Sequence, residues 1–101
     1  MNPQISLSKT ALVAFCQKHG IKRLAIFGSA IREDFGPESD VDVLVEFERD
    51  RIPALAGIAY MEQELSKQFT GRKVGLRTPE DLSRYLRQDV LATAELRYDQ
   101  T

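Results

Sequence analysis

Two short apolar runs bracket a polar loop in residues 26–47, I-F-G-S-A-I-R-E-D-F-G-P-E-S-D-V-D-V-L-V-E-F, and no other stretch constrains the fold as much. The first run, Leu24-Ala25-Ile26-Phe27, stops at Gly28-Ser29. The second, Val43-Leu44-Val45, follows two carboxylates one residue apart, Asp40 and Asp42. Short runs of this kind, bounded by Gly, Pro and Ser, read as strands. Residues 22–27 and 41–47 are the predicted strands, the second apolar on both faces, as a central strand is. Side chains alternate along a strand, so Asp40 and Asp42 point the same way, about 6–7 Å apart at roughly 3.3 Å per residue. Paired carboxylates on one face can hold Mg²⁺, which takes few carboxylates and completes its shell with water and phosphate oxygens. As plain structural residues they are unfavourable. Asp is depleted in strands, and a charge between valines is costly to bury unless it is paired or binds metal.

Gly28-Ser29 is predicted to turn into a short helix through Arg32 and Glu33, with a turn over 34–39. A strand–Gly–Ser–helix junction offers backbone N–H groups at a helix N-terminus, a cradle for phosphate. Glycine lets the backbone approach a ligand closely, and the Ser29 hydroxyl can donate to a phosphate oxygen. Taken alone, a turn glycine and a capping serine explain the pair better. With D-x-D at this offset, phosphate binding is the favoured reading. Arg32 reaches the triphosphate, clamps the loop carboxylates, or lies on a solvated helix face.

Gly28-Ser29, ten residues, then Asp40-Val41-Asp42 resembles the G-S-x10-D-x-D signature of the DNA polymerase β-type nucleotidyltransferases. The short length, and the passage from G-S-A-I-R to S-D-V-D-V-L-V-E-F, are most similar to the minimal nucleotidyltransferase (MNT) antitoxins. The likeness runs from about Lys22 to the helix after Pro79. It implies that Gly28 and Ser29 hold the phosphates of ATP and that Asp40 and Asp42 hold Mg²⁺. It also implies transfer of AMP to a tyrosine hydroxyl of a HEPN-type RNase toxin, which supplies the nucleophile.

The resemblance also implies a third carboxylate, on the strand after the D-x-D strand, in a V-D-L step before a T-P helix start. Here that place reads Val74-Gly75-Leu76, then Arg77-Thr78-Pro79. Gly75 stands where the acid is expected. Two-metal transfer uses one ion on the triphosphate and one on the attacking hydroxyl. Asp40 and Asp42 can serve the first; the second loses a ligand. Glu46 shares the face of Asp42 but lies about 13 Å along the strand. Glu80 or Asp81 would have to fold inward. The expectation is that nucleotide binding survives and transfer is slow or absent. The rival is a non-catalytic protein that masks a toxin by contact alone. Transfer to a small molecule is disfavoured, because antibiotic-modifying relatives need more chain to hold their acceptor.

Composition narrows the rest. With 101 residues the chain is read as one domain, 1–101. Its net charge is −1 with the two signs mixed, which argues against a nucleic-acid footprint. Cys16 is the single cysteine, so no intrachain disulfide forms and a cytoplasmic location is expected. The N-terminal residues lack the apolar core of a signal peptide, and no apolar run approaches membrane-spanning length.

The remaining segments are read by period and punctuation. Residues 7–18 form a helix capped by Ser6 or Ser8 and ended by Gly20, with Cys16 buried and His19 in the last turn, where a positive side chain suits the helix dipole. Residues 48–51 are a solvated loop. Residues 54–68 form a helix with Leu55, Ile58, Leu65 and Phe69 as its stripe and Ala59 and Met61 at its margins. Residues 73–77 are the third strand. Residues 79–97 form one helix, started by Thr78, Pro79 and Asp81, with Leu82, Leu86, Val90 and Ala94 as its stripe and a bend near Arg87. Residues 99–101 fray. The expected fold is α/β: a small mixed sheet of three to four strands with helices packed on it, similar to a pared-down polymerase β palm.

Overall fold

A computed structural model describes residues 8–28, 40–69 and 71–100. Helix α1, Lys9–His19, begins where the Ser8 hydroxyl accepts from the Ala11 N–H at 3.3 Å. It ends at Gly20, whose φ of 67° is the left-handed conformation that closes a helix. Strand β1, Ile21–Phe27, follows directly, and β2 is Val41–Phe47. Helix α2, Leu55–Gln68, crosses to strand β3, Val74–Arg77. A single 3₁₀ turn, Pro79–Asp81, precedes helix α3, Arg84–Thr93, and strand β4, Glu95–Asp99.

The sheet order is β3-β2-β1-β4. β1 pairs antiparallel with both neighbours, while β2 and β3 run parallel. A parallel pair needs a long crossover, and α2 provides it. The mixed sheet of four strands is the expected architecture.

One face of the sheet carries Leu24, Ile26, Val41, Val43, Val45, Val74 and Leu76. These pack on Leu12, Phe15 and Cys16 of α1, on Met61 and Leu65 of α2, and on Phe69. Each such side chain contributes about 1.5–3 kcal/mol when fully buried. This face therefore supplies most of the stability. The opposite face has a smaller cluster, Phe27 and Leu44 under Leu82 and Val90. Among the described residues this cluster does not extend to the start of β2.

Three expectations need correction. Residues 79–97 are not one helix. Asp81 Oδ2 accepts from the Thr78 N–H at 3.0 Å and hydroxyl at 3.1 Å, as a cap should, but the turn it starts stops at once. Ser83 caps a new helix by accepting from the Leu86 N–H at 3.3 Å, and that helix stops before β4. Leu86 is 49% exposed, so the expected stripe breaks there. Second, Asp99 and Gln100 do not fray. Asp99 pairs with Arg23 at 3.6 Å, and the Gln100 N–H donates to the Lys22 carbonyl at 2.9 Å; Thr101 lies outside the described residues. Third, the stripe of α2 centres on Met61 and Leu65, while Leu55 is 89% exposed. Leu55, in the first turn, borders an open cavity of about 320 Å³ beyond the packed face.

Candidate functional site

β1 ends and β2 begins side by side, with Phe27 paired to Asp42. Gly28 is the next residue, and its φ of 73° is a conformation that side chains resist. A β-carbon there would lie 2.5 Å from Asp42 Oδ2. Glycine is thus required twice over, by the turn and by the carboxylate against it. On the other side, the parallel register sets Asp42 against Gly75. A β-carbon at Gly75 would lie 3.8 Å from Asp42 Oδ1, an ordinary contact with room for a side chain. One oxygen of Asp42 thus faces each glycine.

The Asp42 side chain is half-buried, and among the described residues no hydrogen-bond donor or ion-pair partner meets it. Burial pushes its carboxyl above the usual aspartate range, the charge of Asp40 adds to the rise, and Arg77 opposes it. Asp40 stands exposed just ahead of β2. A partly desolvated carboxylate with a second one beside it and no donor is a setting that a divalent cation relieves. The donor set, carboxylate oxygens alone, is of the hard kind that suits Mg²⁺.

Among the described residues no further acid joins Asp40 and Asp42 in a metal-holding group. Among the described residues no group of three His, Cys, Asp or Glu side chains could hold a metal. Glu46 pairs with Arg23 at 3.5 Å. Asp81 is engaged by Thr78, which holds its carboxyl below the usual range. Glu80 is exposed and borders a separate cavity with Phe47 and Ile52. Glu62, on α2, accepts from the Leu76 N–H at 2.8 Å, at the edge of β3 and away from Asp42. Among the described residues no acid fills the gap at Gly75.

Of the residues singled out in the sequence, Gly28, Asp40, Asp42 and Gly75 come together. Ser29 and Arg32 lie outside the described residues. His19 takes no part: its Nε2 lies 2.6 Å from Glu64 and its ring leans on Phe15. Burial pushes the Cys16 thiol up to about 12, so it is a packing group with no reactive thiolate. Sequence reasoning missed Arg77. It follows Gly75 by two residues on β3, and alternation was the available signal.

A family model described as a nucleotidyltransferase domain matches residues 8–96. A Methanocaldococcus jannaschii protein bearing a protein adenylyltransferase name is 31% identical over 86 residues, covering 85% of this chain and 89% of that one. The protein adenylyltransferase MntA of Thermococcus cleftensis is 35% identical over 60 residues, 59% of this chain and 58% of its own. Among solved structures, one described as a minimal nucleotidyltransferase superposes with a TM-score of 0.69 at 32% identity, covering 85% of each chain. A toxin–antitoxin structure with AMP-PNP superposes at 0.73 with 17% identity, covering 92% of this chain and 74% of that one, a likeness of fold.

Proposed function

The chain belongs to the nucleotidyltransferase domain family, in its minimal branch, and from that premise we propose that it is the antitoxin of a toxin–antitoxin pair. In this reading it transfers AMP from Mg·ATP to a tyrosine hydroxyl of a HEPN-type RNase toxin. Asp40 and Asp42 hold Mg²⁺, Gly28 and Ser29 hold phosphate, and Arg32 reaches the triphosphate. The observation that carries the reading is the Asp42 carboxylate, which lies between Gly28 and Gly75 and next to Asp40 and meets no donor among the described residues. The relatives that carry adenylyltransferase names support the reaction class. The solved toxin–antitoxin relatives support the kind of partner.

In the transfer, the acceptor oxygen attacks the α-phosphorus, the bond to the bridging oxygen breaks, and pyrophosphate leaves. The acceptor proton passes to solvent or to a base that the partner brings. Bound Mg²⁺ would neutralise phosphate charge and orient the α-phosphate. Gly28 lets the backbone approach the nucleotide closely. Asp42, fixed by its strand, needs no reorganisation to meet the cation. Gly75 leaves the acceptor side one acid short, so turnover is slow. A cytoplasmic location suits an ATP-consuming reaction. Among the described residues no helix is long and apolar enough to cross a membrane.

A second reading rests on Gly75 and the lack of a three-acid group among the described residues: the protein masks its toxin by contact alone. Incorporation of AMP from labelled Mg·ATP into the co-purified partner separates the two. Labelling by this chain supports transfer. Labelling only by the Gly75→Asp variant means a nucleotide site lacking one ligand. No labelling by either, with a stable complex, leaves masking and refutes transfer.

A further inference from the structure

Gly75 and Arg77 lie two residues apart on β3, and residues at that spacing share a face of the sheet. The register sets Gly75 against Asp42 and Arg77 against Leu44, the next residue of β2 on that face. Beside Asp42, β3 offers a gap at Gly75 and then, two residues on, a positive charge. The Arg77 guanidinium donates from Nη1 to the Leu76 carbonyl at 3.0 Å. Among the described residues it has no salt-bridge partner. Its charge is felt by both Asp42 and Asp81, yet Asp81 is already engaged by Thr78. Most of its five N–H donors are therefore unspent. A guanidinium fork matches phosphate oxygens in geometry and keeps its charge at every working pH.

We propose that Arg77, an exposed cation one step along the same face from the Asp42–Gly75 pair, binds the phosphates of the nucleotide, so that one divalent ion and this guanidinium together meet the triphosphate charge. The inference rests on the nucleotide-binding reading above and adds a residue to it. It also gives Gly75 a role. An acid at that position would stand next to Arg77 on the same face and draw the guanidinium away from phosphate.

The test is calorimetric titration of AMP-PNP into the full chain and into Arg77→Ala, Arg77→Lys and Gly75→Asp, in EDTA and in MgCl₂. Circular dichroism confirms folding. Arg77→Ala is expected to weaken binding at least tenfold, about 1.4 kcal/mol. The loss is larger in EDTA, where the guanidinium is the remaining cation. Arg77→Lys recovers part of the affinity, and Gly75→Asp weakens binding in EDTA. A purely structural arginine would move both conditions equally and gain nothing from lysine, which would overturn the proposal. Equal binding by the unaltered chain and Arg77→Ala overturns it too, while leaving nucleotide binding intact. If the unaltered chain binds no AMP-PNP in MgCl₂, the nucleotide reading itself fails. Should Arg77→Ala not fold, Arg77→Lys decides alone: affinity in EDTA equal to that of the unaltered chain refutes recognition by the guanidinium fork.

Discussion

Replacing Gly75 by aspartate puts a third carboxylate beside Asp42, and its effect on the metal-free protein can be worked out. The new β-carbon would lie 3.8 Å from Asp42 Oδ1 without a clash. The two carboxylates would then be about 4–5 Å apart. Like charges at that distance repel by about 1 kcal/mol in water and about 4 kcal/mol at an effective dielectric constant of 20. Asp42 is half-buried, so about 2 kcal/mol is reasonable at neutral pH. Removing a glycine from a strand returns up to about 0.5–1 kcal/mol. The net cost is about 1–1.5 kcal/mol, a fall in Tm of roughly 5–10 °C for a domain of this size. Thermal melts in EDTA measure it. MgCl₂ should then raise the Tm of Gly75→Asp more than that of the unaltered chain, because an ion bound only by the folded state stabilises it. Adding Asp42→Asn should remove most of the cost in EDTA, since the repulsion is pairwise. Equal Mg²⁺ responses of the two proteins would refute the placement of Asp42 as a metal-binding carboxylate.

Three further outcomes are expected. Gly28→Ala costs about 1–2 kcal/mol for the left-handed backbone alone, and its β-carbon at 2.5 Å displaces the Asp42 carboxylate; melts should show a lower Tm and a lost Mg²⁺ response. Arg51→Ala removes donors to the Gln17 carbonyl at 3.3 Å and the Lys18 carbonyl at 2.7 Å at the end of α1, and thermal melts should register a loss of about 1 kcal/mol. Hydrogen bonds from Lys18 and then His19 hold the Glu64 carboxyl below an ordinary glutamate near 4.5. Its contribution is therefore complete above that value and is lost as pH falls through the depressed one. Glu64→Gln should flatten the acid side of the stability–pH curve by well under about 1 kcal/mol, because the pair is solvent-screened.

The candidate site was legible in sequence where local rules suffice. Gly28 at a strand end, and Asp40 and Asp42 at a strand start, announce themselves through residue type and spacing. So did Ser8 and Gly20 at the ends of α1. Segment 95–99 did not, although E-L-R-Y-D alternates in polarity as a strand should. Leu82, Val90 and Ala94 recur at helical spacing just before it, and that period carries the eye past Thr93. What makes the segment a strand is distant: the open edge of β1, which pairs Leu24 with Tyr98 and Ala25 with Leu96. Arg77 was hidden for a similar reason. Alternation puts it on one face with Gly75, but only the parallel register sets that face of β3 against Asp42.

The position of β1 in the sheet bears on how the protein is made. The strand that ends at Phe27, just before Gly28, is flanked on one side by β2, soon after it in the chain, and on the other by β4. On the ribosome, β1 and β2 can pair early and bring Gly28 to Asp42 while the other edge of β1 stays bare. A bare edge of apolar residues such as Leu24 and Ile26 is a template for joining other chains. A nascent product halted before Glu95 would therefore carry much of the site and none of its protection, and cells would meet it as a target for chaperones and proteases.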